Sequence, residues 1–353
     1  MEKFPLKNTK LKNTKWHVLT ILSVLCLSLF GTKLLAQKQL DWKGEHYYDT
    51  GNQTAVAVLP TGLIIEFHQS EQSAHGIWYH IGRVNTPGKQ IVWSDSHSID
   101  TSGDWPAVTV TKEGYVILAL TPLGDTTLQY WVGTINPAGT NAQTIDWKLK
   151  EQSYDSGFHP SLSVNSSGKM VEVHESGSGG KGIYYRIGHL KDPAAGQFNI
   201  VWDTGDYGTN YDNGINPHIA INDKNQIIAV HQVRSEKKLH YHRGLLQGNT
   251  INFEKSIRYD SNSEQPAVTL TNDGTVIECS IHDRETFART GVLNARDVSA
   301  VDWSDPVQIG DYGYPNHFPA VSTNGTLTVS TFDKSATPWT SGERLYSNVA
   351  SFK

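Results

Sequence analysis

Six times along the chain, an apolar residue stands two places ahead of a large aromatic. The sites are LDW at Trp42, IVW at Trp93, IDW at Trp147, IVW at Trp202, INF at Phe253 and VDW at Trp303, spaced 51, 54, 55, 51 and 50 residues apart. After each comes a turn signature: YDTG 48–51, IDTSG 99–103, YDSG 154–157, YDNG 211–214, YDSN 259–262 and a degenerate GDYG 310–313. Next is a β-branched run, usually opened by proline: TAVAV from Thr54, PAVTV from Pro106, PSLSV from Pro160, PHIAI from Pro217, PAVTL from Pro266 and PAV from Pro319. A tight turn at Gly62, Gly114, Gly168, Asn225, Gly274 or Gly325 leads to a second run. A third run ends on glycine in WYHIG 78–82, QYWVG 129–133, YYRIG 184–188, HYHRG 240–244 and FARTG 287–291.

Four short runs in some 50 residues, parted by Gly, Asn and Asp turns, are the mark of a β-propeller blade. No stretch beyond the N-terminal segment shows helical periodicity. The expected fold is all-β: a six-bladed β-propeller with four antiparallel strands per blade. The blades fall at about 45–95, 96–150, 151–203, 204–255, 256–305 and 306–353. An open row of sheets would leave bare edges, which favours a ring. The chain begins on a Trp strand with nothing before it and ends on a third run, LYSNV 345–349, with no fourth. Residues 39–44 are therefore expected to close the ring as the outer strand of the last blade. A seventh, cryptic blade is the alternative, but no residues are left over for it.

Residues 1–36 read as a secretory signal peptide. Lys3, Lys7, Lys10, Lys12 and Lys15 form a basic start, and Val18 to Phe30 an apolar run too short to span a bilayer comfortably. Leu34-Leu35-Ala36 then supplies a cleavage site. An uncleaved anchor is the competing reading. Lipidation at Cys26 is disfavoured because Leu25 stands where a small residue is needed. The expectation is a secreted protein with one domain over 37–353. Loss of 1–36 removes six lysines and one glutamate, taking the net charge from −5 to −10. An acidic chain without a basic run argues against nucleic acid and anionic membrane as partners. Only Cys279 would remain, so no intrachain disulfide and no Cys-based zinc site can form. No cofactor is implied and no metal is assigned.

The second run carries the most chemistry. VEVHES 171–176 places Glu172 and His174 on one face of a strand, and IEFHQS 65–70 does the same with Glu66 and His68. His231 occupies the slot in IAVHQV, whereas Leu120, Ser280 and Thr331 stand there in the other copies. Blades pack face to face, so these side chains point into the seams between them. A buried Glu and His must be paired or hydrogen-bonded. They form either an inter-blade polar clasp, partnered by the Tyr-Asp text next door, or a ligand pocket. The pocket would be lined by Glu66, His68, Glu172, His174 and His231 with the third-run aromatics Trp78, Tyr79, Tyr184, Tyr185 and Tyr241. Aromatic faces with a few oriented polar groups suit sugars. For the Tyr-Asp text itself a structural role is expected: the Asp capping backbone N–H groups, the Gly taking positive φ, the Tyr and Trp wedging the seams.

A second cluster lies nearer the axis. His159, His218 and His317 each stand within two residues of a strand-opening proline, where the loops converge on the channel mouth. They could serve as bases, bind a metal, or be solvated bystanders. Trp105 holds the equivalent place in the second copy, as a stacking platform.

The combination YDSG…PSLSV…SGKMVEVHES…YYRIG resembles the repeats of secreted bacterial β-propellers, some lectin-like and some attached to extracellular hydrolases. The resemblance spans the mature chain through short motifs. It implies a carbohydrate or polysaccharide partner. The Ser-x-Asp-x-Gly-x-Thr-Trp signature of sialidase-like propellers is missing, as is the Trp-Asn-Asp-Pro-Asn-Gly signature of furanosidase propellers. Polysaccharide lyase propellers, which use His and Tyr with an Arg, would find candidates in His159, His218, His317, Tyr207, Tyr211 and Arg234. Three readings follow: a non-catalytic lectin-like propeller, an extracellular polysaccharide lyase or glycoside hydrolase with its site at the channel mouth, and a protein-interaction scaffold. Symmetry separates the first two. A lectin should keep one polar set in several seams, whereas an enzyme should break the repeat at one place. The absence of a clear acid/base pair leans toward binding.

Overall fold

Val, Ile, Tyr and Trp alternate with small polar residues through most of the chain, and such residues fit a pleated, half-buried surface. The computed structural model describes residues 38–71, 75–85, 87, 89–136, 143–177, 179–293, 300–311, 318–335 and 343–353. The leader reading of 1–36 and the candidate His317 lie outside them. The described residues are 71% strand, with one 3-10 turn at Pro193–Ala195, and no helix among them is long and apolar enough to cross a membrane.

All pairings are antiparallel. One sheet runs in the order Leu40–Thr50, Glu343–Phe352, Leu327–Ser335, Ala320–Thr323. Its outermost strand is thus the first of the chain, with Trp42 opposite Ala350 and Leu40 opposite Phe352. Two five-stranded sheets hold the fourth and fifth repeats, from Ile215–Ile221 to Ile257–Asp260 and from Ser263–Leu270 to Val307–Gly310. The first three repeats are joined in a twelve-stranded sheet.

That joining corrects an expectation. The Tyr-Asp text was expected to be a turn, yet His97–Val110 and Ile145–Val164 are single strands that run through it. The chain does not reverse there. It leaves the outer edge of one repeat and becomes the inner strand of the next: Ser156 pairs back to Thr127, while Gly157 and Phe158 pair forward to Ser176 and Glu175. The glycine also has a different reason. Gly157 is not in the positive-φ region; a Cβ there would lie 2.5 Å from the Glu175 carbonyl oxygen and 2.6 Å from the His174 ring. Close approach requires glycine here, not conformational freedom.

The core is divided among the seams. Each of six apolar clusters draws on two repeats. Phe67 and Tyr79 pack with Leu118 and Trp131, for example, and Val56 and Ile64 with Val329 and Val349. The inner strands touch in sequence order, and Ala320–Thr323 also touches Asn52–Val58. These inner strands are sheet edges whose outward N–H groups need acceptors. Side chains of the neighbouring inner strand supply them: Ser161 Oγ to Ile219 N and Ser163 Oγ to Ile221 N (both 3.2 Å), and Ser322 Oγ to Val58 N (3.1 Å). The serines of PSLSV are edge caps.

Candidate functional site

The seams come first. In the third repeat, Tyr154 Oη donates to Glu172 Oε1 (2.9 Å) and His174 Nδ1 lies 3.0 Å from Glu172 Oε2. Tyr154 stacks on Trp202 with centroids 5.0 Å apart. Tyr259 repeats both contacts, donating to Glu278 (3.0 Å) and stacking on Trp303 (5.0 Å). As expected, the aspartates cap backbone: Asp155 Oδ1 accepts from Ser156 N and Asp212 Oδ1 from Asn213 N, both at 2.8 Å. The other oxygen turns inward, toward Arg186 Nη1 at 3.3 Å in one case and His242 Nε2 at 2.7 Å in the other.

Burial tells against a pocket in these seams. Glu66, His68, Tyr79, Glu172, His174, Tyr185, His231 and Tyr241 are all buried. Tyr79 Oη accepts Ile145 N–H (3.0 Å) and Tyr241 Oη accepts Val301 N–H (2.8 Å), each fixing the outer strand of the following repeat. Tyr185 packs edge-on against Phe253. Only Trp78 and Tyr184 keep partial exposure, each opposite the seam histidine on the adjoining strand. The recurrent Glu-x-His is thus the clasp. Burial alone would lower the pKa of His174, but the neighbouring Glu172, with Asp155, outweighs it and the net shift is upward. Tyr211, a candidate for the mouth, lies instead in a seam, stacked on Phe253 at 4.6 Å, and burial raises its pKa.

The mouth of the axial cavity is differently built. Inner strands line a cavity of about 370 Å³. At its rim one slot per repeat, the residue before the strand-opening proline or its Thr54 equivalent, holds Gln53, Trp105, His159, Asn216, Gln265 and Phe318. The first five adopt left-handed φ of 53°, 52°, 50°, 51° and 53°. Each sits where the strand slips register against its partner, a β-bulge that re-aims the side chain. Non-glycine residues in this region are strained and concentrate at functional sites. All six are partly exposed while the residue after each is buried.

This rim is lopsided. Trp105 and His159 have ring centroids 4.0 Å apart, and Phe318 lies 5.8 Å beyond His159. His159 Nδ1 stands 2.6 Å from Glu175 Oε1, off the hydrogen-bond direction. Asn216 N–H donates to the same oxygen (2.7 Å), and Arg234 Nη2 lies 3.8 Å from Glu175 Oε2. In the other repeats the Glu175 slot holds Gln69, Thr121, Gln232, Ile281 and Phe332. His218, deeper in, accepts Val268 N–H at Nδ1 (3.2 Å), the same edge-capping task as the serines. Burial depresses its pKa to about 4, so it is neutral at pH 7. Of the sequence candidates, the structure brings His159 and Arg234 together at the rim. Glu175, Phe318 and the three amides were missed, although the residue preceding each strand-opening proline would have found the ring.

No protein-family model matches the chain, and no curated protein matches it in sequence. Solved structures do resemble it. A protein of unknown function from Dyadobacter fermentans superposes with a TM-score of 0.59 at 10% identity, over 89% of this chain and 99% of its own. The structure of NanB plus Optactamide gives 0.56 at 9% identity, over 88% and 70%. Hadza microbial sialidase gives 0.54 at 10%, over 86% and 66%. At such identities the likeness speaks to architecture alone: this chain has an all-β, β-propeller-like fold built from antiparallel sheets.

Proposed function

We propose that this is a secreted carbohydrate-binding β-propeller, lectin-like in function, whose sugar site is the rim of the axial cavity. The reading takes 37–353 as a single domain of six blades, closed by Leu40–Thr50 as the outer strand of the last. It is supported by the pairing of that strand with Glu343–Phe352 and by apolar clusters that link each repeat to the next and the sixth to the first. Secretion rests on the leader reading of 1–36. The likeness to a sialidase is in keeping with a carbohydrate ligand.

The observation that carries the proposal is the half-exposed Trp105–His159–Phe318 aromatic run beside three amide side chains at a cavity of about 370 Å³. The apolar face of a sugar ring stacks on Trp105 while Gln53, Asn216 and Gln265 offer donors and acceptors to its hydroxyls. The bulged backbone pre-sets those side chains, which limits the ordering cost of binding. A glycan array identifies the ligand, and calorimetry with the best-bound glycan compares variants. Trp105→Ala is expected to weaken binding at least about tenfold, a loss on the order of 1.4 kcal/mol, with little change in melting temperature. Unchanged affinity in Trp105→Ala and His159→Ala would remove the rim as the site.

One observation favours polysaccharide cleavage as a second reading. Glu175 beside His159, with Arg234 near the other carboxylate oxygen, breaks the repeat at one place. A histidine held by a carboxylate can act as a base toward a sugar C–H or a water, and an arginine can hold a uronate carboxylate. Reducing-end release or formation of an unsaturated uronate, abolished in His159→Ala, would establish it.

A further inference from the structure

Two seams differ from the rest in what they place beside the inward aspartate oxygen. Asp49, His68 and His80 meet in one, and Asp212, His231 and His242 in the other. In each triad the donor atoms lie within 4.8 Å of one another. His80 Nε2 and His68 Nε2 stand 2.7 and 3.8 Å from Asp49 Oδ2; His242 Nε2 and His231 Nε2 stand 2.7 and 3.5 Å from Asp212 Oδ2.

The far ring nitrogens decide what those Nε2 atoms are. His80 Nδ1 lies 3.0 Å from the Ser94 carbonyl and His242 Nδ1 2.9 Å from the Glu254 carbonyl. A carbonyl only accepts, so each Nδ1 carries the proton and donates it. His68 Nδ1 faces the Glu66 carboxylate at 3.1 Å, to the same effect. The Nε2 lone pairs of His68, His80 and His242 are then turned toward a carboxylate, which also only accepts; His231 Nδ1 has no such acceptor, and in its seam His242 carries the argument. Something positive must stand between them: a second proton on a ring, or a cation. An N–H donated backward to a carbonyl or carboxylate is how metal-ligating histidines are oriented.

The repeats supply an internal comparison. At the slot of His80 and His242, the third and fifth repeats, with Glu172 and Glu278 in their seams, carry Arg186 and Arg289. Arg186 Nη1 lies 3.3 Å from Asp155 Oδ2, and Arg289 Nη2 2.5 Å from Asp260 Oδ2. Those seams have a fixed cation on the aspartate. The two triads replace it with a second imidazole.

We propose that Asp49–His68–His80 and Asp212–His231–His242 are two binding sites for a divalent transition metal of the zinc class, each tying strands across a seam. Two imidazoles and one carboxylate are a zinc donor set, with a fourth place for water. The histidines are buried, while Asp49 and Asp212 keep side-chain exposures of 28% and 26% and give an ion its way in. The Glu172–His174 seam, with Arg186 in place, is expected to take none.

The test is metal analysis of the purified protein after loading with zinc and removal of the excess. Two zinc ions per chain are expected, one for each triad. His80→Arg and His242→Arg copy the arrangement of the arginine seams, which favours folding, and each should bind one ion. The double variant should bind none. Cobalt in place of zinc should give the visible absorption of a four- or five-coordinate ion in the wild type, and zinc should raise its melting temperature, since an ion bound only to the folded state stabilises it. A wild type that holds no stoichiometric metal and shows neither response overturns the proposal, leaving protons as the cations of both seams. A double variant that still holds two ions overturns it as well, because the metal then lies on other histidines.

Discussion

Glu172 shows what a single side chain does in these seams. It accepts from Tyr154 and from His174 at once, in a fully buried place. The fourth repeat shows the alternative. Ala229 occupies the slot, and both Tyr211 Oη and His231 Nδ1 are buried without a hydrogen-bond partner. Glu172→Ala should accordingly cost about 1–3 kcal/mol for each of the two groups it strands. Chemical denaturation measures this, and a midpoint within error of the wild type would show that the clasp contributes nothing. The same-face placement of Glu172 and His174 was legible, because strand period fixes it. Their partner was legible as well, as the Tyr-Asp text next door, and Tyr154 from the outer strand of the preceding repeat supplies it. Glu175 escaped notice. It follows His174 and so belongs to the opposite face, and only the register slip between Val173 and Glu175 brings it to the rim.

Among elements, the strands that pass from one repeat to the next were the hardest to read. YDSG has the composition of a turn, yet Ile145–Val164 stays extended through it because hydrogen bonds to two different neighbours hold its two halves. The terminal strand was easier. LDWKG lacked a partner upstream and LYSNV lacked one downstream, and the structure pairs them. Removing residues 38–44 strips Leu40, Trp42 and their ladder bonds from Glu343–Phe352 and uncovers Ala350, Ser351 and Phe352 as an edge. A melting temperature lower by several degrees, with concentration-dependent aggregation on light scattering, is the expected outcome. A truncated protein that melts and scatters like the full one would show that the strand is dispensable.

At the scale of the whole molecule, two histidines give the stability curve opposing slopes. The pKa of His218 falls from 6.5 to about 4 on burial, so the folded state disfavours its protonation. Its contribution is complete above pH 6.5 and is lost as the pH falls toward 4. The pKa of His174 is raised above 6.5, so its contribution is complete below that value and fades as the pH rises through the raised one. Melting temperature is expected to decline on the acid side of pH 6.5, and His218→Asn should flatten that limb while lowering the plateau. An acid limb unchanged in the variant would assign it elsewhere. The pairing of Trp42 with Ala350 has another consequence, which belongs to synthesis. A ribosome delivers Leu40–Thr50 long before Glu343–Phe352, so the earlier strand waits while the residues between them are made. A product that stops short of Glu343 leaves it waiting for good, with a naked backbone edge on display. Synthesis as far as Glu343–Phe352 is thereby the condition for covering that edge.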